Sequence, residues 1–282
     1  MKSGYKLGLL IIGLIVVMGG LLLWHLSLLE QQTSVTFLNI GQGDAILISQ
    51  GGVQILIDGG RTGKELLARI GRHVPFWDRT IEFVVATHPD ADHIGGLPML
   101  LDTYHVKHVL TSGAESETET SQLFHEATVR ATGGEATTVF RGATLTLPQG
   151  GTLTIEYPLS PLSKELSNSN TNEGSIVARF VYGETSFLLT GDLPHEETVL
   201  PEEMPVTVLK AAHHGSKYST SEAWLKLIHP KEAIISVGKN NYGHPAPEVV
   251  DRLRQAGITI HRTDEEGDIV YQCQDMVCAF AQ

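Results

Sequence analysis

Cysteine is nearly absent from this chain of 282 residues, which holds only Cys273 and Cys278, both close to the C-terminus. Two thiols are too few for a cysteine-rich zinc module. They could close a small loop between two final strands in an oxidising compartment, or stay as two buried thiols, and the sequence leaves both open. An excess of positive charge is missing too: 20 Lys and Arg stand against 32 Asp and Glu, a formal net charge of −12. That balance argues against tight, sequence-independent nucleic-acid binding driven by phosphate neutralisation. It suits a site in which several carboxylates hold cations, because bound divalent ions reverse the local field. No internal repeat is visible. With 41% hydrophobic residues, the chain can bury a sizeable core, and one large domain is expected.

One long apolar run is present. Residues 7–29 carry no charge apart from His25, which is neutral at pH 7, and Lys2 and Lys6 precede them while Glu30 follows. At about 1.5 Å per residue such a helix spans the roughly 30 Å of a bilayer's hydrocarbon. The flanking charges place the N-terminus in the cytoplasm and the rest of the chain outside, with Trp24 at the interface. The run is not followed by a small-residue cleavage site or a lipidation cysteine, so an uncleaved single-pass anchor is expected, with secretion after signal cleavage as the alternative. The expected division is a cytoplasmic stub and anchor over 1–31 and one folded domain over 32–282.

The densest chemistry lies in residues 87–96, Thr-His-Pro-Asp-Ala-Asp-His-Ile-Gly-Gly. This stretch follows an apolar run at 81–86 that reads as a buried strand, and precedes a predicted helix over 94–104. His88, Asp90, Asp92 and His93 can therefore converge from a strand-to-helix loop as neutral nitrogen and anionic oxygen donors to cations. The same residue types also occur in ordinary exposed loops. What separates the two readings is whether distant parts of the chain supply further ligands.

They do. Asp58 ends the predicted strand 53–57, placed to accept hydrogen bonds from a neighbouring loop and hold the site's shape. Asp192 ends a predicted strand over 185–190. His213-His214-Gly215-Ser216 end another over 206–212, where adjacent residues of a strand point to opposite sides, so one histidine is expected to face the cations and the other substrate or solvent. His244 follows a strand over 233–237. Asp44, in Gly41-Gln42-Gly43-Asp44, reads as a turn carboxylate. His105, His108 and His125 read as surface or packing residues. If the strands lie side by side, their ends share one edge. His88, Asp90, Asp92, His93, Asp192 and a histidine from 213–214 suffice for two cations with a bridging carboxylate, an arrangement that clamps the oxygens of a phosphoryl or acyl group and readies water for attack.

Taken in order, a series of segments resembles the metallo-β-lactamase superfamily and, within it, the ComEC-type hydrolase domains of competence DNA-uptake proteins. They are Phe37-Leu38-Asn39-Ile40-Gly41-Gln42-Gly43-Asp44-Ala45, Leu56-Ile57-Asp58-Gly59-Gly60, residues 87–96, Asn172 with Ser175, Leu188-Leu189-Thr190-Gly191-Asp192, residues 209–216 and Tyr242-Gly243-His244-Pro245. The resemblance implies an α/β fold, the four-layer αββα sandwich. It implies that His88 and Asp90 hold a first cation, that Asp92, His93 and His213 hold a second, and that Asp192 bridges them. Catalytic roles would fall to Asp92, Asp192, His214 and His244, with Ser216 and Lys217 also within reach of substrate, although Lys217 reads equally as a solvated surface charge. The chain departs from the wider superfamily at two places. Asp90 stands where the usual pattern has a second histidine, and Asn172 and Ser175 occupy the region of a further one. The oxygen-rich donor set that results brings manganese into play beside zinc, and one ion beside two.

The expected activity is that of a membrane-anchored extracellular metal-dependent hydrolase of phosphodiester bonds, with single-stranded DNA among its substrates. Hydrolysis of another ester or amide, such as a phosphocholine ester, a lactone or a β-lactam, is the first alternative. A non-catalytic binding module working with a separate DNA-uptake channel is the second, since a chain with one apolar span cannot translocate DNA alone.

Overall fold

The computed structural model describes residues 11–21, 32–162 and 170–281. Its first sheet takes strands from the first half of the chain and closes with two from its end. These are β1 (Thr33–Phe37), β2 (Ile46–Gln50), β3 (Val53–Ile57), β4 (Thr80–Ala86), β5 (His105–Thr111) and β6 (Thr137–Thr138), with β14 (Ile269–Gln274) and β15 (Val277–Phe280) in the order β15-β14-β1-β2-β3-β4-β5-β6. The second holds β7 (Thr144–Thr146), β8 (Thr152–Tyr157), β9 (Val177–Tyr182), β10 (Thr185–Leu189), β11 (Val208–Lys210), β12 (Glu232–Ile235) and β13 (Thr259–Arg262), in the order β13-β12-β11-β10-β9-β8-β7.

Side-chain alternation explains why these strands form inner layers. Ile55 and Ile57 of β3, Val85 of β4 and Phe187 and Leu189 of β10 point into the core shared by the two sheets, where Phe37, Phe180 and Tyr271 meet them. Leu56 and Val84 between them face the opposite way, toward helices, as Leu188 does on the second sheet. Strands apolar on both faces can only sit between two covering layers. On the first sheet those covers are α2 (Gly63–His73), through Leu66 and Ile70, α4 (Leu97–Thr103), through Leu97, Leu100 and Leu101, and α5 (Glu119–Thr132), through Phe124 and Ala127. On the second they include α7 (Glu222–Ile228), through Trp224, Leu225 and Ile228, and α8 (Pro247–Gln255), through Val249, Val250 and Leu253. A short α6 (Glu196–Val199) precedes them. The result is the αββα sandwich.

Two local expectations are corrected. The helix predicted over 94–104 is α4, Leu97–Thr103, and an unpredicted short helix, α3 (Ala91–Ile94), precedes it across a break at Gly95-Gly96 and carries Asp92 and His93. The break is steric: Gly96 packs on the carbonyl of Gly59, where a Cβ would collide, and its N–H donates to Gly60 O. The strand predicted over 206–212 is shorter. It stops at Lys210, and Ala212–Gly215 form a 3-10 turn in which His213 and His214 both take positive φ, 50° and 54°. Cys273 and Cys278, facing each other across the β14–β15 hairpin, form a disulfide, which decides a choice the sequence left open.

Residues 11–21 form a helix, α1. Among the described residues no helix is long and apolar enough to cross a membrane. The rest of the expected span over 7–29, with its flanking Lys2, Lys6, Trp24 and Glu30, lies outside the described residues.

Candidate metal centre

The C-terminal ends of β3, β4, β10 and β11 open on one edge of the sandwich, and the chain leaves each of them through a turn that carries an acid or an imidazole. Asp58 follows β3 with a positive φ of 60°, and its N–H is held by Val85 O. Its fully buried carboxylate accepts the N–H of Thr87 (2.8 Å) and the hydroxyl of Thr87 (2.7 Å) and pairs with His93 Nδ1 (2.8 Å). One aspartate thus ties the turn after β4 to the helix that follows it.

Three imidazoles converge there, and their hydrogen bonds fix which nitrogen is free. Thr87 gives its only hydroxyl proton to Asp58, so toward His88 Nδ1, 3.0 Å away, it is an acceptor and that nitrogen carries the proton. His93 Nδ1 donates to Asp58 and His214 Nδ1 to Ser236 O (2.9 Å). In all three rings the other nitrogen, Nε2, is buried and has no hydrogen-bond partner. A buried polar atom left without a partner costs about 1–3 kcal/mol, and three in one place with their Nδ1 protons anchored is the arrangement of imidazoles prepared to ligate.

Carboxylates complete the cluster. Asp192 Oδ2 lies 3.3 Å from His93 Nε2 and 3.4 Å from His214 Nε2, while Asp92 Oδ2 lies 3.5 Å from His214 Nε2. Ligand atoms of His88, His93 and Asp192 fall within 4.8 Å of one another, and so do those of Asp92, His93 and His214. Two overlapping donor sets that share His93, with Asp192 against both, are what one or two divalent cations require.

Asp90 stands at the rim. Its carboxylate is 38% exposed, 3.8 Å from His88 Nε2, and accepts the Thr171 hydroxyl. Asn172 and Ser175 lie on and just after a 3-10 turn, Thr171–Gly174. Ser175 Oγ accepts the N–H of Asp192 (3.2 Å) and so aims that carboxylate.

The histidine expected to ligate, His213, is not the one the geometry brings into the donor sets. Strand alternation does not apply, because both residues lie in a left-handed turn that carries them past the end of β11. His214 is buried inside. His213 is 29% exposed at the opening, its Nε2 3.8 Å from Asp192 Oδ2, and its Nδ1 accepts from Asn172 Nδ2 at 3.4 Å. That bond leaves the Nε2 of His213 protonated, the opposite tautomer from the three rings inside. Ser216 is buried, with its N–H on His213 O and its Oγ accepting from Tyr218 N, so it closes the turn and does not face the opening. His244 stacks edge to face with His213 at 5.2 Å, and its Nδ1 is a further buried atom without a partner.

Two buried charges were not assigned to the site from sequence. Asp44, read as a turn carboxylate, is 1% exposed: its N–H donates to Asp92 O, and its carboxylate meets Lys210 Nζ and lies 3.5 Å from His214 Nδ1. Lys210 is fully buried, donates to Gly191 O (2.8 Å) and lies 3.6 Å from Asp192 Oδ1. The available signal for Lys210 was a lone cation at the end of an apolar strand three residues before His213.

The electrostatics follow from this packing. Burial disfavours charge on His93 and His214, but Asp192 and the neighbouring carboxylates outweigh it and hold both pKa values well above the usual imidazole range. Burial and the charge on His93 push His88 down to about 4. Burial alone would raise the carboxyl pKa values of Asp92 and Asp192, yet the surrounding imidazoles hold both low. With neutral imidazoles, five carboxylates (Asp44, Asp58, Asp90, Asp92 and Asp192) face one ammonium, an excess of four negative charges. Divalent cations fit that deficit, and the unpartnered Nε2 atoms fit their coordination.

Beside the centre lies a cleft of about 850 Å³ whose walls include Gln42, Arg61, Lys239, Asn240 and Tyr242. Tyr242 is 69% exposed and its ring lies 5.9 Å from that of His244, so a row of rings runs from Asp192 through His213 and His244 to the cleft. Arg61 and Lys239 are exposed.

Comparison with known proteins bears on this geometry. A family profile described as the Metallo-beta-lactamase superfamily matches residues 38–239. ComE operon protein 3 of Bacillus subtilis (strain 168) is 34% identical over 92% of this chain and 35% of its own length. Recombination protein 2 of Haemophilus influenzae is 29% identical over 89% of this chain and 31% of its own. The chain thus spans about a third of the length of these curated relatives. Among solved structures, the metallo-beta-lactamase fold protein YhfI from Bacillus subtilis superposes with a TM-score of 0.56 at 14% identity, covering 86% of this chain and all of that one. A diphosphatase of the PhnP family gives a TM-score of 0.52 at 17% identity, over 87% and 99%.

Proposed function

The chain belongs to the metallo-beta-lactamase superfamily, as a ComEC-type hydrolase, and on that premise we propose that it cleaves phosphodiester bonds outside the cell, tethered by its N-terminal segment. The observation that carries this reading is the convergence of three buried, unpartnered Nε2 atoms on the carboxylates of Asp92 and Asp192.

His88, His93, His214, Asp92 and Asp192 would hold one or two divalent cations, zinc or manganese, with Asp90 at the rim. Such ions supply Lewis acidity at a phosphoryl oxygen and lower the pKa of water. The remaining work belongs to the protein. Asp58 and Ser236 O keep the Nδ1 protons of His93 and His214 in place, and Ser175 aims Asp192. Lys210 and Asp44 form a buried ion pair behind Asp192 that fixes its orientation. His213, with Nε2 protonated, and His244, whose pKa is lowered by burial and by the neighbouring His213 and His214 rings, stand at the open side, where neutral ring N–H groups can hold the oxygens of a substrate.

A polyanionic substrate is supported by the cleft. In a chain of net charge −12, it places Arg61 and Lys239 beside the centre, with Tyr242 exposed for stacking on a base. Stacking platforms with nearby cations are how single strands are held without sequence preference. Two similar proteins, Recombination protein 2 and Competence protein ComA of Neisseria gonorrhoeae, are named for recombination and competence, which favours DNA as the phosphodiester and a separate uptake channel as the partner.

The anchor over 1–31, preceding the catalytic domain over 32–282, is supported by α1, where eight large apolar side chains are 50–66% exposed. A helix apolar all round belongs in protein interior or in lipid.

The test compares the parent with Asp92→Ala on bis(p-nitrophenyl) phosphate and on single-stranded DNA, with manganese or zinc. Expected is a loss of at least about 100-fold on both substrates in the variant. Turnover by the parent of carboxylic esters, lactones or β-lactams alone would replace the reading with the broader one. No turnover with any metal would reduce the domain to a binding module.

A further inference from the structure

The end of the domain opposite the metal centre carries exposed aromatic residues that no catalytic role explains. Phe76 is 81% exposed and Trp77 44%, their rings packed edge to face at 4.9 Å on the turn between α2 and β4. They border a surface cleft that also takes in Gln32, Gly52 and Arg72. The topology shows which end this is. β3 and β4 run from it toward Asp58 and His88, β1 runs from it toward the turn bearing Asp44, and the β2–β3 hairpin bends there at Gly51-Gly52. At about 3.3 Å per residue, a five-residue strand puts roughly 17 Å between the two ends.

Chain reach ties this end to the apolar N-terminal run. That run ends at Leu29, and Gln32, three residues on, borders the cleft with Phe76 and Trp77. Three residues extend at most about 11 Å. If the run crosses a bilayer, Gln32 lies at the bilayer's surface, and so do the two aromatic side chains.

We propose that the Phe76–Trp77 turn seats this end of the domain in the lipid–water interface, holding the catalytic rim on the face turned away from the membrane. Trp is well suited to this place because its ring is apolar and its indole N–H finds polar partners at headgroup level. Arg72 in the same cleft supplies a cation for anionic headgroups. The consequence for function is directional: substrate reaches the centre from the aqueous side, and headgroup phosphodiesters of the same bilayer are out of reach.

The proposal rests on the tethered reading above, and one experiment separates the two. The full chain carrying Trp24→Phe is reconstituted in phosphatidylcholine and phosphatidylglycerol vesicles, with and without lipids brominated near the headgroup end of the acyl chain. Subtracting the emission of Trp24→Phe/Trp77→Phe isolates Trp77, because the fully buried Trp224 is common to both. Expected is a loss of at least about two-fold in the Trp77 signal in brominated vesicles, with carbonate-resistant association of the chain. Unchanged Trp77 emission in a carbonate-resistant chain would overturn the seating and leave the tether standing. Release of the chain by carbonate would overturn both. Equal hydrolysis of water-soluble bis(p-nitrophenyl) phosphate by the two variants checks that the site is intact.

Discussion

Asp58 Oδ2 accepts the Nδ1 proton of His93 at 2.8 Å while His93 Nε2 stands 3.3 Å from Asp192 Oδ2, so a single ring links a fully buried carboxylate to the centre of the donor set. The link sets the tautomer: as long as Asp58 takes the Nδ1 proton, the lone pair of Nε2 faces the cations.

Asp58→Asn presents an amide where His93 and Thr87 need an acceptor. Expected is a fall of about 10- to 100-fold in divalent-metal affinity with the fold retained, read by calorimetric titration of manganese or zinc and by circular dichroism. Unchanged affinity would show that the tautomer is held by something else.

His214 and His213 separate cleanly. His214→Ala removes a buried Nε2 from the set and is expected to lower metal content per chain together with phosphodiester turnover. His213→Ala leaves the donor set whole, so metal content stays near that of the parent while KM or kcat changes. Elemental analysis of both variants checks this, and the reverse pattern would return the ligand role to His213.

The pH dependence has a definite sign in metal-free protein. His93 and His214 have folded-state pKa values above the unfolded value of about 6.5, so their contribution to stability is fully present below that pH and is lost as pH rises through the folded values. Asp92 and Asp192 act in the other direction, since their values are lowered and their contribution is lost only in acid. Chelator-treated protein is therefore expected to melt at lower temperature at about pH 9 than at about pH 6. Metal binding must displace protons from His93 and His214, so affinity rises with pH over the same window. Calorimetric scans with and without metal across this range test both statements.

Lys210→Met removes the only ammonium that lies among the buried carboxylates in the described residues. Burial works against its charge, but Asp44 and Asp192 keep it protonated, and its loss leaves buried Asp44 without its ammonium partner, facing only the His214 and His93 rings. Expected is a destabilisation of about 3–5 kcal/mol, much of it recovered in Lys210→Met/Asp44→Asn. Urea denaturation of the two singles and the double measures that coupling.

Much of this centre was legible in the sequence because its chemistry sits at strand ends. Asp58, His88, Asp92, His93 and Asp192 each follow an apolar run, and side-by-side strands bring such ends to one edge. The histidine at β11 was harder. Alternation holds only inside a strand, and two positive φ values at His213 and His214 lie beyond it. Asp44 and Lys210 were hidden for a different reason: only the packed fold places their charges against each other across two sheets, and neither spacing nor composition marks a buried ion pair. Ser216, which the resemblance implied to be within reach of substrate, is buried, with its N–H bonded to His213 O and its Oγ accepting from Tyr218 N inside the turn.

The most direct test of the central claim is the divalent-metal content of the purified chain beside that of Asp192→Ala, measured by elemental analysis after equal dialysis at neutral pH. Convergence of the side chains on shared ions requires one to two zinc or manganese ions per parent chain and a loss of at least about 10-fold in the variant. Equal metal in both proteins, or none in the parent after exposure to either ion, would contradict it.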